Sequence, residues 1–136
     1  MDNANSTWIP DSGASFHVTG EPQNIHQLGH FDGWDQIYIG NGEGLKILGS
    51  GSPSFKSPTN PSFPLYLHYL LHAPSITKNP SSVSKFAKDN GVYSEFFPHF
   101  CTVKSQATNE VLLQGIVGSD DLYSFPNLKL QESSAS

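Results

Sequence analysis

Glycine and proline cut this chain into pieces too short for long helices: twelve of one and ten of the other fall among 136 residues. Both residues disrupt helix interiors and punctuate strands at their turns. Pieces of this length fold as short strands joined by turns, so an all-β class is expected, a small closed barrel or sandwich. A chain this short builds one domain rather than two separate cores.

Thr7, Trp8 and Ile9 read as a short strand feeding the Asp11 turn, and residues 16–19 as the next extended piece. Apolar-polar alternation in Gln36-Ile37-Tyr38-Ile39 and Leu45-Lys46-Ile47-Leu48 flanks Gly40, Asn41, Gly42, Glu43 and Gly44, the clearest hairpin in the chain. Residues 52–64 are rich in Pro and Ser and predict a mobile loop. Residues 65–74 predict one buried strand that Pro74 stops. A single helix is expected over 81–90, with Val83, Phe86 and Ala87 on one face, a serine cap and Gly91 as terminator. Four more short strands follow, at 92–97, 100–104, 110–115 and 121–125. Residues 1–7 are expected to be disordered, 8–127 to form the domain, and 128–136 to be a flexible tail.

Composition narrows the function classes. Charged residues make up 14% and the net charge is −5, with seven Lys and Arg spread thinly. A nucleic-acid surface needs concentrated positive charge and is not expected. Cys101 is alone, so neither an internal disulfide nor a multi-cysteine zinc site is available. No apolar run reaches membrane-spanning length and the N-terminus lacks a signal pattern, so the chain reads as soluble and cytosolic.

The stretch WIPDSGASFH, residues 8–17, sets Asp11 between a hydrophobic strand and a Ser-Gly turn. Ser15 does not make a nucleophile elbow, because His17 stands where the last glycine of G-x-S-x-G belongs. His17, His26 and His30 lack clear metal-ligand spacing, so no metal is expected; a packing or capping role suits His17. The Gly-rich 40–44 segment lacks the Lys-Ser/Thr ending of a phosphate cradle. Asp11 remains. Hydrolysing a peptide without a metal takes a base and an acid together, and two carboxylates a few Å apart share one proton. Asp-Ser-Gly occurs once, so such a pair requires two chains related by a two-fold axis. A strand simply closing on a polar turn is the alternative.

The segment WIPDSGASFHVTG, residues 8–20, resembles the protease start in the Pol polyprotein of plant copia-type retrotransposons, whose pattern is Trp-x-x-Asp-Ser-Gly-Ala-[Ser/Thr]-x-His-[Met/Val]-Thr. Residues 37–51 resemble that family's Asn-Gly hairpin block, 65–115 its strand-helix block and following strands, and 118–127 its closing Gly-Leu-Tyr stretch. The resemblance implies a retropepsin-like β-barrel and an aspartic endopeptidase that cuts the element's Gag-Pol polyprotein in cytoplasmic particles, as a homodimer and without a cofactor. Asp11 is then the catalytic carboxylate, Ser12, Gly13 and Ala14 support it, and Gly40, Asn41, Gly42, Glu43 and Gly44 form a candidate flap. The segment around 81–86 is expected to pack beneath the aspartate.

Three departures from the pattern stand out. Pro80 and Ser81 replace two aliphatic residues after Asn79, and Pro80 removes a backbone donor from an expected strand. Asp121 replaces a glycine, so any positive φ there would be strained. The chain stops without integrase, reverse transcriptase or zinc knuckle, and reads as an excised domain or a truncated copy. An inert barrel or binding domain is therefore the alternative to an active protease.

Overall fold

A computed structural model of the protein describes residues 6–25, 36–38 and 42–131. Among them are thirteen short strands and one α-helix. The strands are β1 (Trp8–Asp11), β2 (Val18–Thr19), β3 (Gln36–Tyr38), β4 (Gly44–Lys46), β5 (Gly49–Gly51), β6 (Ser54–Lys56) and β7 (Pro64–Tyr66). After these come β8 (Leu70–His72), β9 (Asn79–Ser82), α1 (Val83–Asn90), β10 (Val92–Phe96), β11 (Phe100–Ser105), β12 (Val111–Val117) and β13 (Tyr123–Ser124). The expected all-β class with one helix in the second half is what the chain forms.

The barrel wall is assembled from small sheets. Antiparallel β10-β11-β12-β13 is the largest, β2-β8-β5 has three strands, and β1-β9, β3-β4 and β6-β7 are pairs. Two pairings are parallel, β1 with β9 and β2 with β8. Their partners are distant in sequence, and a parallel pair needs a long crossover of this kind. Trp8 also bridges to Phe125, exchanging two backbone hydrogen bonds of 3.0 and 2.8 Å. The start of β1 is thus held on both sides, and its end runs out to solvent.

Two apolar cores result. The larger gathers Trp8, Phe55, Leu65, Leu70, Phe86, Val92, Val103, Leu112 and Phe125 with their neighbours. The smaller lies under the β3–β4 hairpin, where Val18, Ile37, Leu45, Ile47, Leu71 and Ala73 pack with Phe16 and Ile76 against them.

The helix begins and ends as its sequence dictates. Ser82 caps it, its hydroxyl accepting from Lys85 N–H at 3.2 Å, and Gly91 stops it in the left-handed region at φ 63°. Three expectations need correction. The 52–64 segment is no loose loop: its flanks pair as β6 and β7, Phe55 is buried, and Ser57 Oγ donates to Leu112 O at 2.6 Å. The single strand expected over 65–74 is two, because Tyr69 turns the chain at φ 58° with its N–H on Ser52 Oγ. The flexible tail does not begin at 128, since Leu128 is buried and Gln131 pairs with Ser54.

Candidate active site

Asp11 is the last residue of β1, and its side chain is exposed. The chain turns immediately: Asp11 Oδ1 accepts from Gly13 N–H at 2.9 Å and Asp11 O from Ala14 N–H at 3.2 Å. Such an Asx-type turn fixes the carboxylate from its own loop. A Cβ on Gly13 would meet Asp11 Oδ1 at 3.4 Å, an ordinary contact, so the turn does not need glycine here for space. Ser12 is exposed beside it, Ala14 half-buried and Ser15 exposed.

Parallel pairing sets β9 alongside, with Asp11 opposite Ser82 and Ile9 opposite Pro80. The expected strand-to-helix segment therefore runs next to the aspartate. Pro80 sits in a strand whose sheet has only one other member, so one edge of β9 needs no backbone donor. Ser81 is buried and its hydroxyl faces Ile9 O at 3.5 Å. A polar side chain has replaced an aliphatic one without breaking the strand.

Asp11 opens onto a groove of about 450 Å³ lined by Ile9, Pro10, Ser12, Ile76, Lys78, Pro80 and Leu122. The lining is mostly apolar, and among the described residues Asp11 is its one acid and Lys78 its one base. Leu122 reaches the groove from a tight turn in which Asp121 N–H donates to Gly118 O and Leu122 N–H to Asp120 Oδ1. Asp121 occupies the left-handed region at φ 63°, the strain anticipated for this glycine replacement. Ile76 is pinned from behind by Gly20, where any Cβ would run into the Ile76 carbonyl oxygen.

Beneath the turn lies His17, completely buried. Its Nδ1 accepts the Ser82 N–H at 3.0 Å, and its ring meets Phe86 edge-on at 6.3 Å. The capping role expected for this histidine is thus served at the backbone of the helix-capping residue itself. Burial, reinforced by the charge of Lys85, lowers its pKa to about 4. The ring is neutral at pH 7, and acceptance at Nδ1 leaves its proton on Nε2.

The candidate flap is part of a real hairpin, with Ile37 opposite Leu45 and Tyr38 opposite Gly44. Gly42, Glu43 and Gly44 are exposed, and Gly42 takes φ 85°. Gly40 and Asn41 lie outside the described residues, as do His26 and His30. Among the described residues, no three His, Cys, Asp or Glu side chains converge as a metal site. No helix among them is long and apolar enough to cross a membrane.

Residues 8–92 match the family described as Pol polyprotein, beta-barrel domain. The chain is 36% identical over 123 residues to the retrovirus-related Pol polyprotein from transposon RE1 of Arabidopsis thaliana, covering 90% of this chain. To the corresponding polyprotein from transposon RE2 of the same plant it is 39% identical over 124 residues, covering 91%. In both cases the chain spans about 8% of the relative's length. No solved structure matches it. The matched segment opens on Trp8, runs through the Asp11 turn and both parallel strand pairs, and closes after the capped helix: the chain belongs to the β-barrel domain family of copia-type retrotransposon Pol polyproteins.

Proposed function

We propose that this domain is an aspartic endopeptidase whose active centre forms when two copies bring their Asp11 carboxylates together. The observation that carries this reading is the position of Asp11. It is an exposed carboxylate at a strand end, oriented by the Gly13 amide, and among the described residues the only acid in a largely apolar groove. One carboxylate is half of the required chemistry. A second, supplied across a two-fold axis, shares its proton because both cannot ionise at close range. The charged member takes a proton from the attacking water, and the protonated member donates to the peptide carbonyl oxygen.

The apolar lining from Ile9, Pro10, Ile76 and Leu122 suits side chains flanking a cleaved bond. The Gly42–Gly44 end of the β3–β4 hairpin is the candidate lid over bound peptide. The substrate is polypeptide, namely the Gag-Pol polyprotein of the element, and the setting is the cytoplasmic particle. Peptides spanning polyprotein junctions, incubated at mildly acidic pH, test the reading. Wild-type protein is expected to cleave them, a pepstatin-like inhibitor to block cleavage, and Asp11→Asn to be inactive. Equal background from wild type and Asp11→Asn refutes it.

An inert barrel is the competing reading, favoured by Asp11 having no acidic neighbour among the described residues of its groove. Sedimentation equilibrium separates the two. A strict monomer at high micromolar concentration leaves Asp11 without its partner.

A further inference from the structure

We infer that His17 is a positioning residue for Asp11: its ring holds Ser82, the strand partner of Asp11, and protonation of the ring releases that strand. The inference rests on reading Asp11 as the catalytic carboxylate. It adds a control that the reading does not contain, an acid limit set by an imidazole that never touches substrate.

Asp11 and Ser82 are register partners in the parallel β1–β9 pair. The Ser82 N–H is engaged by His17 Nδ1 at 3.0 Å, and the Ser82 hydroxyl caps α1 through Lys85 N–H. His17 itself follows the Asp-Ser-Gly turn by only a few residues, and its carbonyl accepts from Leu71 N–H at 2.9 Å on the β8 side. One ring therefore connects the far end of the catalytic turn, the start of the helix and the strand beside Asp11. A neutral imidazole accepts at Nδ1; an imidazolium has a donor on both nitrogens. Protonation sets N–H against N–H at Ser82, and the bond is lost.

The titratable and charged groups facing the ring are Lys85 and Asp89 from α1 and His68 from the turn before β8. Lys85 and His68 disfavour the cation and Asp89 favours it. Lys85 and Asp89 are themselves ion-paired at 3.0 Å. β9 contributes only its backbone, since Asn79-Pro80-Ser81-Ser82 has no ionisable side chain. Burial decides the balance, and the ring stays neutral down to about pH 4.

The test is an NMR titration of the full chain carrying Asp11→Asn, which removes the carboxylate's own titration while keeping an acceptor for Gly13. The His17 ring carbons and the Ser82 and Gly13 amides are followed from pH 7 to pH 3. All three are expected to move with one midpoint near 4. A ring that titrates while both amides stay still overturns the inference, as does a ring midpoint near the ordinary value for histidine. A second arm measures kcat/KM against pH. His17→Asn keeps an oxygen acceptor in place of Nδ1 and does not titrate, so the acid loss of activity near pH 4 is expected to vanish in it. His17→Phe keeps the ring and lacks the acceptor, so kcat is expected to fall at every pH. Persistence of the same acid loss in His17→Asn overturns the inference. If no peptide is cleaved by any form while the amides still follow the ring, the protease reading falls and the coupling of His17 to the Asp11 strand stands.

Discussion

Thr19 Oγ1 donates to Asn79 Oδ1 at 2.7 Å between two fully buried side chains sixty residues apart. The same hydroxyl accepts from Asn24 Nδ2 at 2.9 Å and from Glu21 N–H at 3.1 Å, while Asn79 Nδ2 reaches back to Thr7 O at 3.1 Å. One oxygen thus ties β2 and the 3-10 turn at Pro22–Asn24 to the start of β9, the strand that runs beside Asp11.

Replacing Thr19 by Val keeps the shape and removes the hydroxyl from all three bonds. Buried polar groups that lose a partner cost about 1–3 kcal/mol. Thr19→Val is therefore expected to lower the unfolding free energy in urea by about that amount, and Thr19→Ser, which keeps the oxygen, by less. A greater loss in Thr19→Ser than in Thr19→Val would show that packing of the methyl group, not the network, sets the stability.

The local parts of this fold were legible. Alternation gave β3 and β4, the serine cap and Gly91 bounded α1, and the short runs after Gly91 became β10 to β13. The parts held by distant partners were not. Pro and Ser dominate 52–64, and nothing nearby reveals that Ser57 anchors to Leu112, fifty-five residues on. Gly49-Ser50-Gly51 has no strand propensity and becomes β5 because β8 pairs with it. At the site, Asp11 was legible because its motif is contiguous. Its surroundings were not, because the groove draws Leu122 and Lys78 from far along the chain.

Asp121 offers a gain instead of a loss. Its φ of 63° puts a Cβ where the left-handed backbone disfavours one, and glycine adopts that conformation freely. Asp121→Gly is expected to stabilise the domain by about 0.5–1 kcal/mol, once glycine's extra unfolded-state entropy is counted. Thermal unfolding followed by circular dichroism reads it. A lower midpoint than wild type means that the turn gains more from the aspartate than relief of strain returns.

His17 makes stability depend on pH with a definite sign. Its folded pKa of about 4 lies below the ordinary 6.5, so the unfolded chain takes up this proton first as pH falls. The contribution is complete above pH 6.5 and declines between 6.5 and about 4, by about 3 kcal/mol in total. Urea midpoints measured across that window are expected to fall with pH in wild type. In His17→Asn the part of the slope owed to this residue disappears. Matching slopes in the two proteins would place the acid sensitivity elsewhere.

The stoichiometry of the active centre gives the sharpest prediction. Asp11 is exposed and its replacement by Asn retains an acceptor for Gly13, so Asp11→Asn is expected to fold with stability within about 0.5 kcal/mol of wild type. In the proposed dimer, such a chain pairs with a wild-type copy but brings no carboxylate. Random pairing in an equal mixture leaves about a quarter of the dimers with both aspartates. Activity per wild-type chain is then expected to halve at total concentrations where all chains are dimeric, and to fall further as the variant is added in excess. A centre that works within one chain shows no such effect, because each wild-type molecule keeps its own activity whatever surrounds it. Mixing experiments read this directly from initial rates, with total chain concentration matched in an inert-protein control.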